Sequence, residues 1–295
     1  MIDLHIHSYE EKIDFAPITD KVDLYIKRDD LIHPYISGNK WRKLKYNLIK
    51  AKEESKTHLV TFGGAFSNHL LATAAAGAKF GFKTTAFVRG EKVQNPLLTM
   101  CTLFGMELIF VDRESYQNKE FLFNERYKDF NDVMMLAEGG YGNEAELGCR
   151  EIVKELTQEY QHIFCASGTG ATAAGIINEV SHQNLNTQVH IVSSLKGGDF
   201  LKTEIGNLLE NPNQHFNLHT DYHFGGYAKT TPHLIDFIKS FSKKTGILLD
   251  PVYTGKTLFA IQDLAQKNTF KKGAKVLMIH TGGLFGILGM IEKFS

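Results

Sequence analysis

Neither sign of charge is in excess in this sequence: 33 lysines and arginines stand against 33 aspartates and glutamates. Zero formal charge gives no general attraction to nucleic acid or to an anionic membrane, and neither is expected as a partner. No apolar run approaches the roughly 18 residues of a membrane span. The opening MIDLHIHSYEEK has acids and histidines where a signal peptide needs a basic start and an apolar core. A cytoplasmic protein is expected. Cysteine is scarce, and Cys101, Cys149 and Cys165 are an odd number without CxxC spacing. They read as reduced core residues, not as a disulfide framework or a metal site. Internal repeats, low-complexity runs and linker-like stretches are missing as well.

What is present is ordinary globular composition, 43% hydrophobic and 22% charged over 295 residues, enough for one large or two ordinary domains. Short, continuous, β-branched runs at 24–27, 59–62, 84–88, 107–111, 133–136, 162–166, 189–193 and 276–280 read as strands buried on both faces. Helical patterns lie between them, for example at 67–80, 143–160, 171–182 and 231–245. This alternation predicts an α/β protein with parallel sheets and right-handed crossovers. About ten strands would be many for one open sheet, so two open lobes are expected. Ligands of such sheets sit beyond the carboxyl ends of the strands.

One such end is FCASGTGATAAGI, residues 164–176. Glycines let backbone approach an anion, and helix N-terminal amides attract it. Ser167, Thr169 and Thr172 add hydroxyls around Gly168, Gly170 and Ala171. A dinucleotide site would need an acid at the end of the following strand, where Ser193 and Ser194 stand instead. A phosphate site without a ribose site is the functional reading; a small-residue helix–strand contact is the bland one.

Two other patterns carry less. DPVYTGKT lacks the first glycine of a P-loop, with Asp250 in its place. In HFNLHTDYHF, His215, His219 and His223 have the spacing of a zinc site on a helix. Phe216, Leu218, Thr220 and Tyr222 alternate with them, which is strand periodicity, and a solvated polar face is expected.

YISGNKWRKLKY, residues 35–46, mixes four cations with the one tryptophan, Trp41. Lys40 follows Ser-Gly-Asn, where a helix is about to start. An electropositive helix start, with Arg42, Lys43 and Lys45 nearby, would lower an amine's pKa and make Lys40 nucleophilic. A basic helix face with one core tryptophan is the alternative.

In order along the chain, KRDDLIHPYISGNKWRKLKYNL, TFGGAFSNHLLATAAAGAKFG, SGTGAT, GGYAKTTP, LLDPVYTGKT and HTGG resemble the motifs of the tryptophan-synthase-β-like pyridoxal-phosphate enzymes. The resemblance is closest to the subgroup of 1-aminocyclopropane-1-carboxylate deaminase and D-cysteine desulfhydrase, and it covers nearly the whole chain. It implies pyridoxal 5′-phosphate as cofactor, a small amino-acid substrate and a homodimer. It implies that Lys40 forms the Schiff base and that Gly168, Thr169, Gly170, Ala171 and Thr172 cradle the phosphate. Asn68 would hold the cofactor's 3′-oxygen. Ser67 and His69 would meet the substrate carboxylate, with Tyr227 and Tyr253 along the substrate side. Thr254 or Thr281 would offer a hydroxyl to the pyridine nitrogen. The smaller domain would be an insertion at 43–150, the larger one 1–42 plus 151–295. Without the resemblance, Ser67 is an ordinary N-cap, Asn68 and His69 are exposed first-turn residues, and the tyrosines are core aromatics. Two departures stand out: Phe66 replaces the usual Gln before Ser-Asn, and Leu284-Phe285-Gly286 replaces the usual Pro-Ala-Leu.

The chemistry implied is elimination, in which the freed Lys40 takes the α-proton, the ring accepts the electron pair and a 2-oxo acid and ammonia result. The deaminase substrate has no α-proton, so its ring opening needs another nucleophile or base, for which Tyr253 is the candidate. The deaminases read Ser-Asn-Gln, Tyr-Glu-Gly-Lys and His-Leu-Gly-Gly. The desulfhydrases read Ser-Asn-His, Tyr-Thr-Gly-Lys and His-Thr-Gly-Gly. His69, Thr254 and Thr281 give the second set, so D-cysteine desulfhydrase-like elimination is expected. The alternatives are the deaminase, a β-replacement synthase or dehydratase, and a non-catalytic cofactor-binding protein.

Overall fold

The computed structural model describes residues 2–295. Ten strands run β1 Glu10–Lys12, β2 Asp23–Lys27, β3 His58–Gly64, β4 Lys83–Arg89, β5 Glu107–Val111, β6 Val133–Met135, β7 His162–Ser167, β8 Gln188–Ser193, β9 Asn217–His219 and β10 Lys275–Ile279. The α-helices are α1 Ala16–Thr19, α2 Asn39–Glu53, α3 Asn68–Phe80, α4 Pro96–Leu103, α5 Lys119–Tyr127, α6 Asn143–Lys154, α7 Ala171–His182, α8 Leu201–Gly206, α9 Pro232–Thr245 and α10 Thr254–Gln266. They build two open sheets, as expected. One has the order β1-β2-β10-β7-β8-β9, with only the β1–β2 pair antiparallel; the other, β5-β4-β3-β6, is wholly parallel.

The continuous apolar runs arise because alternate residues feed opposite faces. In β10, Val276 and Met278 join Phe237 and Phe241 of α9 and Ile261 of α10. Leu277 and Ile279 join Ile152 of α6 and Ile176 of α7 on the other side. All eight expected strands are present. Of the two others, β9 falls within the strand periodicity read over 215–223, and β1 is a three-residue edge strand with too few apolar positions to announce itself.

Two expectations fail. The helix expected over 143–160 stops at Lys154, because the carboxylate of Glu10 in β1 accepts from the Thr157 amide at 3.1 Å and from the Tyr160 hydroxyl at 2.8 Å. That contact draws 157–160 onto the sheet edge. The polar face expected over 215–223 is not simply solvated. Only three residues form a strand, and the His219 ring stacks 5.3 Å from His190, with His190 Nδ1 and His219 Nε2 3.0 Å apart.

The helix α2 answers the puzzle of its mixed composition. Trp41, Arg42, Lys43, Leu44, Leu48 and Ala51 are all buried, so core surrounds the helix on several sides. Trp41 stacks 5.9 Å from Phe80. Arg42 donates to both carboxylate oxygens of Asp29, at 3.1 and 3.0 Å, and to Glu155 at 2.5 and 2.7 Å. Lys45 pairs with Glu151 at 2.6 Å. Helix α6 lies against α2 so closely that a Cβ on Gly148 would fall 1.9 Å from the Arg42 carbonyl oxygen. This packing brings the start of α2 beside the start of α7, where Asn39 Nδ2 donates to Thr172 Oγ1 at 2.9 Å.

Candidate active site

A cavity of about 660 Å³ opens at the carboxyl ends of both sheets. Its lining comes from the segments after β3 (Gly64 to His69), β6 (Glu138, Gly139), β7 (Ser167 to Gly170, Thr172), β8 (Leu195) and β10 (Thr281 to Gly283), with Lys40 and Lys43 from α2 and Tyr227 and Tyr253 from the loops before α9 and α10.

Lys40 stands at the second position of α2. The Gly38 before it has φ 57° and ψ −136°. A Cβ there would sit 2.0 Å from the Thr281 carbonyl oxygen, so the turn bearing Lys40 presses onto the end of β10 only because residue 38 is glycine. Asn39 N donates to that same carbonyl at 3.3 Å. Burial first, and then Lys43, hold the Lys40 pKa well below that of a free lysine. The expected cause is therefore corrected. Arg42 and Lys45 are matched by carboxylates, and of the three neighbouring cations Lys43 is the one acting on Lys40.

Lys43 was not singled out from the sequence as a site residue. It is buried, and its Nζ donates to the Gly139 carbonyl at 3.0 Å and to Thr169 Oγ1 at 3.2 Å. Its signal was the one-turn offset from Lys40, which places both amines on one helix face.

The glycine loop turns sharply, with Gly170 N donating to Ser167 Oγ at 3.2 Å. A Cβ on Gly168 would lie 3.3 Å from the Tyr253 ring, so this glycine lets the ring approach the loop. Gly170 has φ 97° and its missing side chain points the other way, 3.3 Å from the backbone of Glu204 and Ile205 in α8. Ala171 is buried at the start of α7 and does not line the cavity.

Ser67 holds the N-cap position of α3, yet its side chain makes no cap bond and it faces the cavity. Asn68 Nδ2 donates to the Gly283 carbonyl at 3.2 Å, and its Oδ1 is buried without a partner. His69 is buried, its Nε2 2.8 Å from Thr61 Oγ1 and its Nδ1 without a partner. Burial, then Lys40 and Lys43, push the His69 pKa well below its usual value, so the ring is neutral. Thr61 Oγ1 also donates to the Leu136 carbonyl at 3.1 Å, which leaves it to accept from His69 Nε2–H and puts the bare lone pair on Nδ1.

Tyr227 and Tyr253 meet edge to face, with centroids 6.2 Å apart. Burial, and then Tyr227, raise the Tyr253 phenol pKa well above its usual value. Thr281 lines the cavity but Thr254 does not: its Oγ1 donates to Asp250 Oδ2 at 2.8 Å and accepts from Asp250 N at 2.9 Å. Phe66, one departure from the expected motifs, packs against the segment that follows the other: a Cβ on Gly289 would lie 2.9 Å from the Phe66 ring.

The profile described as pyridoxal-phosphate dependent enzyme matches residues 14–282. The chain belongs to this family of pyridoxal-phosphate enzymes. A Thermotoga maritima protein, provisionally named 1-aminocyclopropane-1-carboxylate deaminase, is 32% identical over 291 residues, 92% of each chain. An Arabidopsis thaliana protein named bifunctional D-cysteine desulfhydrase/1-aminocyclopropane-1-carboxylate deaminase, mitochondrial, is 28% identical over 92% of this chain and 75% of its own. The crystal structure of an ACC deaminase homologue superposes with a TM-score of 0.82 at 29% identity, covering 92% of this chain and 88% of that one. The fold is thus the tryptophan-synthase-β-like fold of pyridoxal-phosphate enzymes, and the protein is a pyridoxal-phosphate-dependent lyase. Its cavity suits that cofactor. It offers an uncharged-leaning lysine, a glycine loop at a helix start with a buried ammonium beside it, and two buried polar atoms, Asn68 Oδ1 and His69 Nδ1, that lack partners. Among the described residues no helix is long and apolar enough to cross a membrane.

Proposed function

We propose that this lyase acts on D-cysteine or a close β-substituted analogue, converting D-cysteine and water to pyruvate, ammonia and hydrogen sulfide. The observation that carries the choice is the polarity around Thr281. Thr281 is an uncharged residue of the lining, its carbonyl accepting from Asn39 N at the start of α2, and the Thr254 hydroxyl is engaged by Asp250. Glu138 is the one carboxylate among the lining residues, and it pairs with Lys119 at 3.2 Å. A carboxylic acid at the pyridine nitrogen would make a strong electron sink; a hydroxyl makes a weaker one, sufficient for removing an α-proton and expelling thiolate.

In this reading Lys40 would be the residue that holds the cofactor covalently. The loop from Gly168 to Thr172, with Thr169 Oγ1 and the Lys43 ammonium, holds the phosphate. A nearby dianion favours the charged form of Lys43, which burial alone disfavours. Asn68, with its unpartnered Oδ1, would hold the cofactor's 3′-oxygen, and Ser67, with a hydroxyl free of capping, would bind the substrate carboxylate. His69, with its lone pair on Nδ1, is better suited to accept from the substrate's ammonium than to donate to its carboxylate. Once bound, the cofactor supplies an electron sink at the α-carbon. The Lys40 amine, whose charged form burial disfavours, would take the α-proton as sulfide leaves from the β-carbon. The Tyr253 phenol, with its raised pKa, stays protonated and lines the substrate side.

Ring opening of 1-aminocyclopropane-1-carboxylate is the second reading, favoured by the names of the Thermotoga and Arabidopsis relatives. A strongly protonated Tyr253 argues against it, since that reaction needs a nucleophile or base in place of an α-proton. The proposal includes a small domain at 43–150, supported by the four-stranded sheet's drawing every strand from residues 58–135. It also includes the cytoplasm, supported by three buried free thiols, and a homodimer, testable by light scattering. The decisive experiment is release of 2-oxo acid from D- and L-cysteine, serine, chloroalanine and 1-aminocyclopropane-1-carboxylate. D-Cysteine should be fastest. Comparable turnover of the cyclopropane substrate would overturn the choice of branch.

A further inference from the structure

Lys256 belongs to no step of the chemistry above, yet it is the most completely enclosed lysine near the cavity, with 0% of its surface exposed. Its Nζ donates to three backbone carbonyls: His223 at 2.8 Å, Gly226 at 2.9 Å and Ser194 at 3.2 Å. An ammonium has three N–H donors and here each finds an oxygen. Among the described residues it makes no ion pair. Asp250 is the nearby acid, and its carboxylate is engaged by the amides of Val252, Tyr253 and Thr254. A ring of converging carbonyl oxygens around a dry positive charge is how proteins bind small hard cations.

Two of the three carbonyls belong to a strained segment. Phe224, Gly225, Gly226 and Ala228 all have positive φ, at 52°, 99°, 118° and 54°. Left-handed backbone at Phe224 and Ala228 is uncommon for residues with side chains and persists only where the surroundings enforce it. Helix α10 grips the segment twice, through Lys256 and through Phe259, whose ring meets Phe224 edge to face at 5.0 Å. Tyr227 stands between the strained residues, and Tyr253 lies one turn before Lys256 at the start of the same helix. The third carbonyl belongs to Ser194, whose own N and Oγ donate to the carbonyl of Ser167 in the glycine loop, at 3.3 and 3.4 Å.

We propose that the Lys256 ammonium is a built-in monovalent cation: it locks the Tyr227 loop to the wall that carries Tyr253 and so sets the shape of the substrate side of the cavity. Lys256 is a positioning residue, not a catalytic one. The substrate-side role of the two tyrosines rests on the functional reading above; the lock itself does not. A vacated position should accept a small cation from solution, because the three carbonyls remain.

The test uses the full-length holoenzyme as wild type, Lys256→Met and Lys256→Ala, with amide exchange read at 223–229. In wild type the Gly226 and Lys229 amides, which donate to the His223 and Gly226 carbonyls at 3.0 and 3.1 Å, should be protected well above the exposed amides of the loop; free exchange of both in wild type overturns the proposal whether or not the variants fold. In both variants exchange at 223–229 should accelerate by at least about tenfold while β8 keeps its protection. KM for the amino acid should rise about tenfold with a smaller change in kcat, and cofactor affinity should hold. Propylammonium, which restores the lost methylenes and charge, should slow loop exchange in Lys256→Ala, and neutral propanol should not. Unchanged loop exchange in the variants, or equal rescue by propanol, would overturn the lock. A protected loop in a protein that turns over no small amino acid would instead overturn the functional reading and leave the lock standing.

Discussion

Lys43 donates to the Thr169 hydroxyl at 3.2 Å, so a buried ammonium joins the turn of α2 that carries Lys40 to the glycine loop. The same charge acts on both sides. It lowers the Lys40 pKa, and it faces the loop where an anion would sit. Replacing Lys43 with Met should therefore weaken cofactor binding by about tenfold or more, some 1.4 kcal/mol. It should also raise the Lys40 pKa in the cofactor-free protein, read as a higher pH midpoint for Lys40 acylation. If affinity and midpoint both stay put, the phosphate lies elsewhere.

Lys40 itself should carry the cofactor. Borohydride reduction of the holoenzyme followed by peptide mapping should find the adduct there. An adduct on Lys43, Lys45 or Lys256 would refute the assignment. Lys40→Ala should abolish turnover while the chain still folds, because the residue faces a cavity and supports no core contact comparable to Trp41.

The two loop glycines should behave differently. A Val at 170 would be expected from sequence to block phosphate, but its Cβ points at α8, so the effect belongs to stability. Gly170→Ala combines a φ of 97° with a 3.3 Å approach to the Glu204 and Ile205 backbone. A cost of about 1–2 kcal/mol is expected, which would lower Tm by about 2–4 °C for each kcal/mol. Gly168→Val, directed at the Tyr253 ring, should lower cofactor affinity more than it lowers Tm. Thermal melts and cofactor titrations of the two variants make the comparison; the reverse pattern would mean the loop is oriented otherwise.

A row of histidines makes the fold acid-sensitive. His162 Nδ1 lies 3.0 Å from His190 Nε2, which continues to His219 at the same spacing. Burial, then His162 and His219, lower the His190 pKa to about 3. Below its ordinary pKa of about 6.5 the unfolded chain binds a proton that the folded chain refuses, so stability falls as pH drops from that value toward the folded pKa. One such group contributes at most about 1.4 kcal/mol per pH unit. Urea unfolding between pH 6.5 and pH 4.5 should show a shallower decline for His190→Gln than for wild type. Parallel slopes would show that other groups dominate.

Periodicity and composition by themselves determined the architecture. Continuous apolar runs marked eight strands, because alternate residues serve cores on opposite faces, as Val276 and Leu277 do. Two sheets followed from strand number, the glycine loop stood out because glycine meets a local backbone requirement, and Lys40 was marked by the ordered motifs that resemble those of the pyridoxal-phosphate enzymes. Tertiary structure decided the rest, because it depends on partners far away in the chain. Whether Arg42 activates Lys40 or is neutralised turns on Asp29 and Glu155, 13 and 113 positions away. Thr254 and Thr281 look alike in sequence, and only the fold ties the Thr254 hydroxyl to Asp250 and places Thr281 in the cavity wall. The direction in which Gly170 lacks a side chain, the end of α6 at Glu10's contact, and the three carbonyls around Lys256 are likewise products of packing. Spacing along a chain constrains the local path of the backbone; which charges meet is set only when distant segments are brought together.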